Sequence, residues 1–183
     1  MTTQAIASVL KNIIGKPCWN VKQGYGSFIT FEFGEPKLTC YEFKNRQYHI
    51  TERHIYVHGE WHLWIYCCDW KIFQNGYENA RCESSDKTID KALSHLDGQK
   101  IVGLEIDSAN KSCSFTFDLG GLLETTSGDY EPLTNEWLLF EPSGYVLCYR
   151  NDGCYSYHPS NSSDASAIWQ KIDNQITVID DIE

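Results

Sequence analysis

Residues 84–106 decide the fold in this sequence, and they read SSDKTIDKALSHLDGQKIVGLEI. Their apolar residues recur at the spacing i, i+3, i+4, i+7 and form the stripe of an amphipathic helix: Ile89, Ala92, Leu93 and Leu96. The tripeptide at 84–86 is a plausible N-cap region, and Gly98 ends the helix because glycine adopts the positive φ of a C-terminal cap. The following stretch, Ile101 to Ile106, is β-like. The segment therefore predicts a helix followed by a strand.

The same helical spacing occurs in two further stretches of the chain. One comprises Ile6, Val9, Leu10 and Ile13, and the other comprises Ala165, Ile168, Trp169 and Ile172. Each is followed, two residues on, by a residue that tolerates positive φ, which is Gly15 in the first case and Asn174 in the second. β-like stretches come next, at Cys18 to Val21 and at Ile176 to Ile179. These stretches predict two more helices, each followed by a strand.

Matches between strand segments extend this comparison of the chain with itself. Residues 30–34 (TFEFG) resemble residues 116–120 (TFDLG), and residues 60–64 (EWHLW) resemble residues 136–140 (EWLLF). Their common order along the chain predicts an internal duplication. Each copy reads as a helix, two strands, a variable linker and two more strands. The predicted class is α+β, rich in antiparallel β-sheet, with a duplicated helix-then-strands unit and a C-terminal helix plus strand.

The length of 183 residues suits one domain. We predict a single domain over 1–183 in which residues 1–83 form the first half, 84–160 the second, and 161–183 the closing helix and strand. Within the second half, Val146 to Tyr157 reads as a hairpin around an Asn-Asp-Gly turn at 151–153. Large aromatics are most often core residues, so we expect Trp61 and Trp137 to be buried.

The charge balance restricts the class of partner. The chain carries 15 basic and 25 acidic residues, a net charge of −10. Nucleic-acid binding needs a basic surface to neutralise phosphates, so this composition argues against it. An acidic protein also repels anionic membranes and attracts basic partners, although acidity by itself also serves solubility.

Targeting signals and cysteine usage indicate a cytoplasmic protein. No apolar run approaches the roughly 20 residues of a membrane span, and the N-terminus lacks the pattern of a signal peptide. Eight cysteines are scattered without a C-x-x-C pair, so we expect reduced and mostly buried thiols rather than a disulfide framework or a zinc site.

Residues 53–64, RHIYVHGEWHLW, contain the strongest candidate for chemistry. If they form one strand, one face carries Ile55, Val57, Trp61 and Leu63, and the other carries His54, Tyr56, His58, Glu60 and His62. The period-two spacing of His58, Glu60 and His62 is compatible with a zinc or iron site, or with an acid–base pair. The alternative is a half-exposed strand with ordinary polar alternation, which Gly59 bends or breaks.

Known catalytic motifs are absent from the sequence. It contains no Gly-x-Ser-x-Gly, Walker loop, G-x-G-x-x-G or H-E-x-x-H. We therefore expect no catalytic residue and no cofactor, and we favour a binding protein over an enzyme.

In size, acidity, aromatic richness and lack of catalytic motifs the chain is similar to bacterial immunity proteins. The helix followed by Leu-x-Gly or Ile-x-Gly, the paired strands with a Phe-x-[Phe/Leu]-Gly end and the Glu-Trp-x-Leu strand also resemble small bacterial domains of that kind. The resemblance implies an immunity or antitoxin function, in which an acidic face neutralises or sequesters a basic partner protein. It carries over no partner-binding residue. The alternatives are a metal-binding protein or metal-dependent enzyme that uses the histidine-rich strand, and a structural subunit of a larger assembly.

Overall fold

The computed structural model describes residues 3–45, 50–162, 166–173 and 175–180. Most of the described residues lie in strands and few lie in helices, so the fold is mostly β, and the predicted α+β class is wrong. The helices in the described residues are α1 (Thr3–Lys11) and α2 (Asp86–Leu96). The strands are β1 (Cys18–Gln23), β2 (Ile29–Phe33), β3 (Lys37–Asn45), β4 (Ile50–His58), β5 (Trp61–Ile65), β6 (Asp69–Gln74), β7 (Tyr77–Arg81), β8 (Ile101–Asp107), β9 (Ser112–Phe117), β10 (Gly121–Thr126), β11 (Asn135–Phe140), β12 (Tyr145–Arg150), β13 (Cys154–Pro159), β14 (Gln170–Lys171) and β15 (Ile176–Ile179).

The strands form three antiparallel sheets within the described residues. The largest has seven strands in the order β1-β2-β5-β11-β12-β13-β14, and the second has six in the order β15-β8-β9-β10-β6-β7. The third is a two-stranded ribbon of β3 and β4 alone. Antiparallel neighbours are expected where short turns connect successive strands, and β12 and β13 form the predicted hairpin around residues 151–153.

The two larger sheets pack face to face. Phe31 of β2 lies 6.1 Å from Phe117 of β9 between ring centroids, and Phe115 of β9 lies 6.2 Å from Trp137 of β11. The inward residues of both sheets and of both helices belong to one hydrophobic cluster. As expected, Trp61 and Trp137 are buried within it. This packing directs the other face of the seven-stranded sheet outward.

Two of the three predicted helices are confirmed. The stripe of α2 is buried, and the Ser85 hydroxyl accepts a hydrogen bond from the Thr88 amide at the N-cap. The stripe that begins in α1 is buried as well, and its last member, Ile13, follows the end of the helix. Gly15 and Gly98 have φ values of +76° and +91°, as their predicted capping role requires.

The third predicted helix is wrong wherever the structure describes it, although Ala165 and Asn174 lie outside the described residues. Gln170 and Lys171 form β14 instead and pair with Tyr155 and Cys154 of β13. The Tyr155 hydroxyl also donates to Oε1 of Gln170 at 2.7 Å. Pairing with β13 and the side-chain hydrogen bond between Tyr155 and Gln170 therefore outweigh the helical spacing of the apolar residues in this segment.

The predicted internal repeat is also wrong. The strands after α1, β1 and β2, lie in the seven-stranded sheet, whereas β8 and β9, after α2, lie in the six-stranded sheet. The two Glu-Trp strands, β5 and β11, are hydrogen-bonded neighbours in one sheet. Similar sequence segments thus occupy different structural positions, because strand pairing across the chain determines where each one packs.

Neither helix in the described residues is long and apolar enough to cross a membrane. All eight cysteines are free thiols. Four of them are buried: Cys18, Cys68, Cys113 and Cys148.

Candidate functional site

The β3–β4 ribbon carries the most exposed apolar surface in the described part of the chain. Its nine paired positions, from Lys37 opposite His58 to Asn45 opposite Ile50, continue without a register shift. Within the described residues neither strand pairs with a strand of the larger sheets. Seven large hydrophobic residues of the ribbon are exposed: Leu38, Tyr41, Phe43, Ile50, Ile55, Tyr56 and Val57.

Residues 53–64 do not form one strand, because the chain breaks at Gly59, as the alternative interpretation predicted. A Cβ at this position would lie 2.5 Å from the carbonyl oxygen of Phe33, so only glycine fits against that backbone. The chain leaves β4 here and re-enters the core at β5. As a result Leu63 is buried, whereas Ile55, which the alternation placed on the same face, is 66% exposed.

Glu32 of β2 holds this junction in place. Its side chain is nearly inaccessible, and Oε2 accepts a hydrogen bond of 2.8 Å from the Gly59 amide. Its other oxygen, Oε1, lies 2.7 Å from Nδ1 of His62. No hydrogen bond of acceptable angle reaches this nitrogen in the described residues, so the contact is one of proximity only. One buried carboxylate therefore ties the base of the ribbon to the seven-stranded sheet.

Aromatic rings cover one face of the ribbon. The rings of Tyr41 and Tyr56 make an edge contact at 5.5 Å between centroids, and Phe43 meets His54 in the same manner at 5.1 Å. Tyr41 and His54 are directly opposite in the ladder, and the ring of Tyr41 also lies 6.4 Å from that of Phe43. These rings share one face because they stand at alternate positions of paired strands.

A second aromatic group lies on the outer face of the seven-stranded sheet. Trp64 of β5 meets Phe140 of β11 edge-to-face at 5.6 Å, and His62 lies 5.5 Å from Trp64. Strand pairing brings these residues together, since Phe140 is the partner of His62 in the β5–β11 ladder.

Members of both aromatic groups line one cavity of about 950 Å³. We call this space the aromatic groove and define it by six of its lining residues: Glu32, Tyr41, Phe43, Tyr56, Trp64 and Phe140. Its volume is that of a site for a small molecule or a peptide segment. Lys22, Thr30 and His62 are among the polar residues that also line it.

The three predicted metal ligands have separate partners. His58 places Nε2 2.7 Å from the Thr39 hydroxyl and Nδ1 2.9 Å from the Gly59 carbonyl oxygen. Oε1 of Glu60 lies 3.7 Å from the ammonium of Lys37, and His62 faces Glu32. In the described ranges no group of three or more His, Cys, Asp or Glu side chains is arranged to hold a metal ion. The metal site remains a prediction, and none of these contacts favours it.

A second polar group lies inside the protein around Glu136 of β11. Glu136 is fully buried, and the Ser127 hydroxyl donates a hydrogen bond to its Oε1. Burial raises the pKa of this carboxyl to about 7. Nearby, the Trp137 indole donates to the Cys113 thiol at 3.2 Å, and burial raises the pKa of that thiol to about 12. A carboxyl with a pKa of about 7 is about half protonated at neutral pH, and because Glu136 is closed to solvent we interpret it as part of the structure rather than of a site.

A shallow cleft crosses the outer face of the six-stranded sheet. It has a volume of about 340 Å³ and is lined by polar side chains, with Glu105, Asp107 and Glu124 among them. It lacks the apolar surface that drives most protein association. The aromatic groove is therefore the stronger candidate site.

Sequence reasoning identified His58 and His62 but missed Glu32, Tyr41, Phe43 and Phe140. Residues 37–58 fell mostly within the interval read as a variable linker. A usable signal was present there, because Tyr41 and Phe43 alternate with polar residues as in a strand. Glu32 and Phe140 lie near the ribbon because of the order of the strands within the sheet, and no local sequence pattern indicates that order.

Comparison of the chain with protein-family models, with curated proteins and with solved structures finds no match. The function is therefore inferred from the geometry and chemistry of the site alone.

Proposed function

We propose that this chain is a protein-binding module of the immunity or antitoxin type, which sequesters a basic partner protein through the aromatic groove. The observation that carries the proposal is the β3–β4 ribbon, whose apolar side chains are exposed beside the aromatic outer face of the seven-stranded sheet. Contiguous exposed apolar surface of this kind marks sites of association in soluble proteins.

The isolation of the ribbon supports this proposal. A two-stranded hairpin is at best marginally stable in water, and most need a third strand or a packed face. Both outer edges of this ribbon are unpaired within the described structure, and its strands are nine residues long. Long edges without a bulge are templates for pairing with another chain. A partner that covers the ribbon would supply the missing contacts.

Net charge determines the kind of partner that we propose. At a net charge of −10, two copies of this chain repel each other. A basic protein is attracted instead, and the attraction raises the rate at which it meets this chain. The same charge disfavours nucleic acid. Eight free thiols suit a reducing compartment, so we propose the cytoplasm as the place of action.

Site-specific photo-crosslinking tests the proposal. A photoreactive phenylalanine analogue replaces Tyr56 in the groove, and a matched variant carries it at Tyr25, which is 91% exposed outside the groove. We expect position 56, but not position 25, to crosslink one basic protein in the native host. The purified pair should then associate more slowly as salt concentration rises, because screening weakens the long-range attraction.

Two outcomes would contradict the proposal. Crosslinks from position 56 to a second copy of this chain would show that the groove is a homodimer contact. Equal and diffuse crosslinking from both positions would show that the groove has no specific partner.

A further inference from the structure

We propose that a cleft between α2 and β7 binds phosphate, either as the free anion or as the phosphate group of a small molecule. The cleft has a volume of about 330 Å³. Its polar lining consists of two ammonium groups, an imidazole, an amide and a hydroxyl, from Lys87, Lys91, His95, Asn79 and Thr88. No carboxylate lines it among the described residues. This site lies on other elements than the aromatic groove and is independent of the proposed function.

Helix α2 carries its basic side chains along one side. Lys87, Lys91 and His95 are four residues apart, so they lie one above another on successive turns. Across the cleft, Nδ2 of Asn79 on β7 lies 3.3 Å from Nδ1 of His95. When this amide donates to Nδ1, the proton of the neutral imidazole is on Nε2, and the ring still offers a donor. The helix and the edge strand together therefore form a concave surface rich in donors.

The two lysines occupy positions that do not favour the helix itself. Lys87 lies in the first turn of α2, where the helix dipole disfavours a cation. Lys91 follows one turn later, and like charges at this spacing destabilise a helix. Among the described residues neither ammonium makes an ion pair. An anion bound between them would remove both unfavourable effects.

The carboxylates of the two elements leave the cleft to the cations. Glu78, beside Asn79 on β7, accepts a hydrogen bond of 2.8 Å from Nε of Arg81. Asp86 accepts one of 3.2 Å from Gln23 of β1, on the other side of the helix. Asp90, three residues after Lys87, is the acid that opposes an anion here, and it does not line the cleft. In a chain of net charge −10, this is a local basic surface.

Phosphate matches this set of groups better than a carboxylate does. A phosphate dianion carries two negative charges, which two lysines balance, and lysine binds phosphate as a point charge. Its tetrahedral oxygens accept hydrogen bonds from several directions, so the helix and the strand can donate at once. The volume of the cleft limits the ligand to a small molecule.

Titration of the intact chain with defined probes tests the proposal. The probes are inorganic phosphate and glycerol 3-phosphate, and the control is trimethyl phosphate, which keeps the tetrahedral shape without charge. Backbone amide resonances are followed at constant ionic strength. We expect saturable shifts at residues of α2 and β7 with both anions and none with trimethyl phosphate. Tighter binding of glycerol 3-phosphate would identify a phosphate monoester as the ligand, and tighter binding of inorganic phosphate would identify the free anion.

Single variants localise the effect to the cleft. Lys87→Gln and Lys91→Gln should each weaken phosphate binding at least about fivefold, because each removes a charge-assisted hydrogen bond. Lys91→Arg keeps the charge and should retain most of the binding. Lys100→Gln is the matched control, since it removes one positive charge at an exposed position outside the cleft, and it should leave binding unchanged.

Three outcomes would overturn the proposal. The first is an absence of saturable shifts with either anion. The second is equal weakening by Lys91→Gln and Lys100→Gln, which would show general attraction to positive charge. The third is shifts that fall outside α2 and β7. The crosslinking experiment on the aromatic groove is unaffected by any of these results.

Discussion

At the scale of single residues, Glu136 links protonation to stability. Its folded pKa is raised to about 7 by burial, above the value of 4.5 usual for an accessible carboxyl. Between these values the native state keeps the proton that the unfolded chain releases, so the free energy of unfolding falls as pH rises. The stabilisation that comes from keeping Glu136 protonated is fully present below pH 4.5 and is lost once the pH passes about 7. A shift of this size corresponds to about 3 kcal/mol.

The substitution Glu136→Gln tests this linkage. Glutamine keeps an oxygen for the Ser127 hydroxyl but cannot ionise, so the variant should lose less stability than the wild type between pH 5 and pH 8. Denaturant unfolding at several pH values measures the difference. Glu124→Gln, which changes an exposed carboxylate of β10, is the matched control and should follow the wild type. Parallel curves for wild type and Glu136→Gln would show that Glu136 is not the group responsible.

At the scale of elements, the break at Gly59 separates two segments that alternation alone had joined. Ile55 in β4 is 66% exposed and Leu63 in β5 is 1% exposed, although both occupy the same face of the segment as read from sequence. We expect Leu63→Ala to lower the free energy of unfolding by about 2–5 kcal/mol, because it leaves a cavity in the core. Ile55→Ala should change it by less than about 1 kcal/mol.

Chemical denaturation of the two variants and the wild type provides the measurement. Similar large losses for both variants would mean that the ribbon packs on the core in solution. If Ile55→Ala leaves the free energy of unfolding unchanged but weakens partner binding, the ribbon is a contact surface rather than part of the core.

At the scale of the whole molecule, the two halves of the chain are interleaved. The seven-stranded sheet takes β1, β2 and β5 from residues 1–83 and β11 to β13 from residues 84–160, and the six-stranded sheet also draws on both ranges. We therefore expect one cooperative unfolding transition, with calorimetric and van't Hoff enthalpies equal. Residues 84–160 expressed alone should not fold, because β10 and β11 would lose their partners β6 and β5. Two separate transitions, or a folded second half, would contradict the single-domain prediction.

The sequence by itself determined the elements whose stability is local. The positions of α1 and α2 follow from apolar stripes and capping residues, and the β12–β13 hairpin follows from its Asn-Asp-Gly turn, because these signals act between residues close in the chain. It also indicated the β-like stretches that became β1, β8 and β15.

Only the tertiary structure decided how these pieces combine. The stripe at Ile168 and Ile172 became part of a segment that pairs with β13, and the matching strands β5 and β11 became neighbours rather than equivalents. Glu32 reached Gly59 and His62, and Phe140 reached Trp64, only because sheet order joins distant segments. The physical reason is that backbone pairing and the burial of apolar surface are settled between segments far apart in sequence, where local periodicity carries no information.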